Sequence, residues 1–291
     1  MIEETNILYK IHFLKNYAEK SDWQNVSFEL CHQVLMKIVE DGPSKDSWLA
    51  LMELLGVWPV ATEVQAWVQQ IEVQVTAWPW QLRKVFLGDL ATRGDKNIVY
   101  RLVGQLEISH IEDLFGWKFQ QWSQYENWKN LRGLQLFKIE SWAKCLKPLT
   151  TSPFLQELQL LKFTVVDDLR GNLDVLFSDG VLPHLRELGL ISAMLDSKDI
   201  DVLSQTSLAQ HISSLDLSSN FLKLEDLSKI LKAGAFPNLK TLDLSYNDGI
   251  SAKYLKTEIA DAAHPLLEKV IIEGTPAAKS LRVKEILSSD L

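Results

Sequence analysis

The sequence predicts an α/β solenoid, with a curved parallel sheet inside and helices outside, preceded by a helical N-terminal cap. Three observations predict it. An apolar triplet spaced LxxLxL recurs seven times: Val103-Leu106-Ile108, Leu131-Leu134-Leu136, Leu155-Leu158-Leu160, Leu185-Leu188-Leu190, Ile212-Leu215-Leu217, Leu239-Leu242-Leu244 and Leu267-Val270-Ile272. The starts are 28, 24, 30, 27, 27 and 28 residues apart, and a sustained period in the twenties is the signature of stacked repeats. Proline keeps the same phase, with Pro153, Pro183, Pro237 and Pro265 each two residues ahead of a triplet. Proline cannot continue a helix and biases the residue before it toward extended backbone, so it ends one element and hands the chain to the next strand. The spacers carry helical patterns: Ile200 with Leu203, then Leu224, Leu227 and Ile230, then Leu255 with Ile259.

Residues 1–77 read as a helical cap of four short helices. Ile7, Leu8, Ile11 and Leu14 make the first apolar stripe, and Val26, Leu30, Val34 and Ile38 the second, capped by Asp22 and ended by Asp41-Gly42-Pro43. Trp48, Leu51, Met52 and Leu55 form a third stripe that runs into Gly56, a residue suited to the left-handed conformation past a helix end. A fourth helix is expected from about Thr62 to Thr76, stopping before Trp78-Pro79. All ten tryptophans lie at or before Trp142. Large rings fill irregular volumes, whereas stacked leucine layers leave little room for indole, so the early elements and the later repeats fill their cores differently.

The repeats occupy 78–275, opened by a degenerate copy, Leu82-Val85-Leu87. Two copies, Ile212 to Asn220 and Leu239 to Asn247, read LxxLxLxxN in full. On these motifs, from Leu82 to Gly274, the chain resembles the leucine-rich repeat family, and its spacing resembles the long-repeat, ribonuclease-inhibitor-like branch. The resemblance implies an α-helix on the convex side of each repeat. It also implies that Asn220 and Asn247 bond to backbone groups in the turn after their strands. Residues 276–291, with Leu281, Ile286 and Leu287 as apolar points, are expected to form a C-terminal capping helix over the last repeat.

Composition narrows the function classes. Lys and Arg number 30 against 38 Asp and Glu, a net charge of -8, the opposite of the basic footprint that phosphate neutralisation requires, so no nucleic-acid partner is expected. Acids at Glu3 and Glu4 stand where a secretory signal carries bases, and no apolar run reaches the ~20 residues of a membrane span. A cytoplasmic protein with no membrane partner is expected. Cys31 and Cys145 are too few for a disulfide framework or a four-thiol metal site and read as packing. Cys31 and His32 are adjacent, but neighbours on a helix project about 100° apart and do not face each other. The remaining histidines form no HxxxH or HExxH spacing. No catalytic, metal or cofactor residue is therefore assigned.

Strand alternation sends the third, fifth and seventh residues of each triplet window to the concave face. There Phe137, Leu161 and Ile191 stand as apolar residues on successive repeats, with Glu157, Glu187, Asp216 and Asp243 as an acidic rim. Each set has two readings. The acids are either a solvated face or part of a site, and the apolar side chains are either covered by loops or the cap, or exposed for a partner. The expected function is a non-catalytic protein-protein interaction module that holds a protein or peptide partner, basic in character, on this face. The alternative is an enzyme or regulated adaptor whose activity resides in residues 1–77, with the repeats selecting the substrate.

Overall fold

The computed structural model describes residues 28–58, 61–86, 97–109, 123–139, 149–166, 169, 173, 177–178, 180–232, 234–250, 252–262, 264–274 and 280–282. The helix expected around Ile7 to Leu14, Trp23 and Cys145 lie outside them. The chain divides into two compact units, Met1–Glu107 with Glu126–Leu131, and Ile108–Tyr125 with Arg132–Leu291.

In the first unit, three helices follow one another: α1 (Phe28–Glu40), α2 (Lys45–Val57) and α3 (Ala61–Thr76). Helix α1 buries Cys31, Val34, Leu35, Ile38 and Val39. Leu30, expected on that stripe, is exposed, because a strict i, i+4, i+8 row drifts by about 40° per step around a 3.6-residue helix. Helix α2 starts at Ser44, whose hydroxyl accepts the Ser47 amide at 2.9 Å, satisfying one of the free donors of the first turn. It does not stop at Gly56. It runs on to Val57 and ends at Trp58, whose backbone is extended (φ -61, ψ 127) as suits a residue preceding proline. The indoles fill this unit's core: Trp48, Trp58, Trp67, Trp78 and Trp128 are all buried. The Trp48 indole donates to the Lys84 carbonyl at 2.7 Å and so ties α2 to the first strand.

That strand, β1 (Lys84–Phe86), pairs in parallel with β2 (Gln105–Ser109), Val85 opposite Leu106. This is the register expected of Leu82-Val85-Leu87 as the opening repeat. On β2 the residues that alternation turns away from the leucine layer, Gln105 and Glu107, are themselves buried, and Glu107 is ion-paired with Lys84.

In the second unit, six strands pair in parallel, each with the next: β3 (Gly133–Ile139), β4 (Leu160–Val166), β5 (Glu187–Ile191), β6 (Ser214–Asp216), β7 (Thr241–Asp243) and β8 (Lys269–Ile271). Between the later strands run α4 (Ser197–Gln205), α5 (Leu224–Leu231) and α6 (Ala252–Ala262). Leu134, Leu161, Leu188, Leu215, Leu242 and Val270 stand opposite one another as one buried layer. A short strand, β9 (Ser280–Arg282), runs antiparallel on β8. At 280–282 the chain is thus strand on the edge of β8 rather than the helix expected there, and the rest of 276–291 lies outside the described residues.

The pairing of β4 shifts one repeat. Leu161 faces Leu134 and Leu188, so the third triplet is Leu158-Leu161-Phe163, and Leu155 belongs to a short 3-10 turn before it. The triplet starts then fall 27 or 28 residues apart throughout. Pro153 accordingly leads its triplet by five residues, out of phase with the other three prolines. Backbone strain marks the same period: Lys138, Val165, Ser192, Ser219, Tyr246 and Gly274, each seven residues past a triplet start, all have left-handed φ between 49 and 68°.

Two asparagines hold the turns. The Asn220 amide oxygen accepts the Ala193 and Leu195 amides, both at 3.1 Å, while its NH2 donates to the carbonyls of Leu190 (2.8 Å) and Leu217 (2.9 Å). Asn247 repeats the arrangement one turn later, accepting Leu222 N–H at 3.1 Å and donating to Leu217 and Leu244. The helix starts repeat as well. Asp196 and Asp199 cap α4 reciprocally, and Asp226, 27 residues on, accepts the Lys223 amide at the start of α5. No helix among the described residues is long and apolar enough to cross a membrane.

Candidate functional site

In the second unit the leucine layer is buried, so alternation leaves the other face of the sheet to carry any surface chemistry. Register fixes the rows on that face. The first is Gly133, Leu160, Glu187, Ser214, Thr241 and Lys269; the second is Gln135, Lys162, Gly189, Asp216, Asp243 and Ile271. A third begins Phe137, Thr164 and Ile191.

Five of the seven residues singled out in the sequence lie on this face: Phe137, Ile191, Glu187, Asp216 and Asp243. All five are partly exposed. Leu161 does not. It is 0 % exposed in the leucine layer, and Thr164 stands between Phe137 and Ile191 in its place. Glu157 also leaves the rim. It sits in the 3-10 turn before β4, with its carboxylate 3.8 Å from His184 Nε2 and 4.0 Å from Arg132 Nη2. Both corrections have one cause: a one-triplet misalignment at β4 moved every side chain of that strand to the wrong face.

The residue missed by that misalignment is Lys162. Its stem crosses β5 at Gly189, where an added Cβ would lie 2.8 Å from Lys162 Cγ, and its ammonium reaches Asp216 Oδ2 at 3.4 Å, two strands away. Any larger residue at 189 would close that path. Asp216 Oδ1 accepts Ser218 Oγ (2.7 Å) and Ser218 N (3.2 Å), and Asp243 Oδ1 accepts Ser245 N at 2.9 Å. The two aspartates are direct cross-strand neighbours. Burial raises the Asp243 carboxyl above its ordinary range and the charge of Asp216 adds to this, while the Ser245 hydrogen bonds and Lys162 oppose it. Among the described residues, two carboxylates thus share one ammonium.

Cys31 offers no reactive thiol. It is buried, and burial with the nearby charge of Glu63 pushes its pKa up to about 11, whereas a nucleophilic thiolate needs the opposite shift. His32 instead shares a hydrogen bond with Gln70 at 2.9 Å and stacks near Trp67. No group of three or more His, Cys, Asp or Glu side chains among the described residues is placed to hold a metal.

No family profile matches the chain, and no curated protein matches it. Among solved structures it is similar to a Bacteroides fragilis protein from a structural-genomics programme, at 15 % identity over 64 % of this chain and 70 % of that one, with a TM-score of 0.39.

Proposed function

We propose that this chain is a leucine-rich repeat protein of the long-repeat kind, acting without catalysis as a protein-binding module through the exposed sheet face of its second unit. The observation that carries the reading is the Lys162–Asp216–Asp243 row. One ammonium does not balance two adjacent carboxylates, and like charges opposite each other on a sheet destabilise it. A cationic side chain from a partner relieves that imbalance. Phe137 and Ile191, on the same face, supply apolar contact beside the charge, the combination of apolar centre and polar rim found at interaction surfaces. The periodic strand, left-handed turn, asparagine and helix support the family assignment.

The test uses the full chain as bait, in wild-type form and as Asp216→Asn/Asp243→Asn and Phe137→Ala variants. Proteins retained by the wild type are identified by mass spectrometry and their affinities measured with purified components. The expected result is a partner whose binding weakens by roughly 1–3 kcal/mol in Phe137→Ala and associates more slowly, with less salt dependence, in the double Asn variant. A partner bound equally by all three forms sinks the proposal.

A further inference from the structure

Past the ends of the strands, the second unit carries large apolar side chains where its own repeat does not require them. Met194 is 44 %, Phe221 69 % and Tyr246 58 % exposed. Met194 and Phe221 occupy the same position in successive repeats, 27 residues apart, and the next repeat places Asp248 there. Tyr246 stands in the left-handed column, where its counterparts include Ser192, Ser219 and Gly274. Polar residues and glycine therefore satisfy the fold at these positions. Met194 (φ 54) and Tyr246 (φ 57) are also left-handed, a conformation that side-chain-bearing residues rarely adopt.

The backbone that carries Met194 and Phe221 is held in place. The amides on both sides of Met194 are bound by Asn220, and the amide after Phe221 is bound by Asn247. The Tyr246 ring lies against Gly274 so closely that a Cβ there would overlap it. A backbone already fixed has no loop-ordering entropy left to lose on binding. Near them in sequence stand the exposed acids Asp196, Asp248 and Glu273 and the exposed bases Lys198 and Lys223, and Asp243, beside Asp216 on the sheet, is three residues, at most about 10 Å of extended chain, from Tyr246.

We infer that Met194, Phe221 and Tyr246 anchor a basic, apolar peptide segment of a partner protein, its aliphatic or aromatic side chains on this edge and an Arg or Lys reaching Asp243. The inference rests on the reading of the sheet face as a binding surface and supplies the chemistry of what binds. Charge complementarity selects this occupant, since a second copy of this acidic chain would bring like charge to the same edge.

The probe is a displayed library of random 12-residue peptides selected on the full chain. Enriched peptides should pair aromatic or large aliphatic residues with Arg or Lys. Their affinity should fall about ten-fold or more, equivalent to one strong interface residue, in Met194→Ser/Phe221→Ser, with circular dichroism and melting unchanged. It should also fall in Asp243→Asn and with added salt. Peptides lacking either feature, or no enrichment at all, overturn the inference. Peptides that need Asp243 and Phe137 but bind the double Ser variant normally overturn the edge while leaving the sheet face standing. Peptides that need the edge but bind Asp216→Asn/Asp243→Asn normally overturn the sheet-face reading and the shared segment with it.

Discussion

Asn220→Ala tests the turn ladder more sharply than any other single change. The side chain is 3 % exposed, and its removal strips partners from the Ala193 and Leu195 amides and the Leu190 and Leu217 carbonyls. Its third acceptor, Ser218 O at 3.2 Å, shares the same two hydrogens and adds little. Four bonds at a net of about 1 kcal/mol each give about 4 kcal/mol, with unsatisfied buried groups raising the figure and water entering the opened turn lowering it. Against a typical total of about 5–15 kcal/mol the loss is large. Urea titration followed by far-UV circular dichroism measures it, and hydrogen exchange locates it. Protection should collapse at the amides of 193 and 195 and persist at 222, which Asn247 holds. A loss below about 1 kcal/mol with unchanged protection at 193 and 195 would refute the claim that this side chain supports the turns.

Other expectations follow from single residues. Leu161→Ala should cost about 2–5 kcal/mol as a buried leucine, and a near-neutral result would return it to the surface and undo the β4 register. Asp243→Asn should stabilise the protein at neutral pH by a few tenths to about 1 kcal/mol, because it removes a like-charge cross-strand pair. Its folded pKa lies above the ordinary value of 3.8, so the wild-type carboxyl's stabilising share is full below that value and is lost as pH rises through the folded one. The advantage of Asn should therefore grow from acid toward neutral pH in paired denaturation curves, and the opposite slope would contradict the environment described. Cys31, with its thiol pushed to about 11, should resist a disulfide reagent at pH 8 in the folded protein and react only on unfolding; equal rates in both states would mean the thiol is accessible.

The architecture was legible because periodicity is a collective signal: misreading one triplet left five others to fix the strands of the second unit in number and order. The site was less legible because facing depends on parity, and a local shift inverts it. The uneven spacings of 24 and 30 around Leu155 were the available warning, since Leu158-Leu161-Phe163 makes both 27. Lys162 was hidden by the same shift, and Gly189 gave no sign in sequence that it opens a path for a lysine from the neighbouring strand. The burial of Gln105 and Glu107 was invisible for another reason, since alternation predicts the face on which a residue lies but not what else covers it.

The one-to-one register from β4 to β8 also bears on how such a chain changes length. A block such as 212–238 carries one strand, one left-handed turn, one ladder asparagine and one helix. Copied in tandem, it would set a new strand in register with both neighbours and widen the sheet by about 4.8 Å. An odd-length insertion within a strand would instead invert every face downstream within it. Length is thus quantised while surface chemistry is not: side chains on the open face can be exchanged one at a time, so reach and selectivity are free to diverge along separate routes.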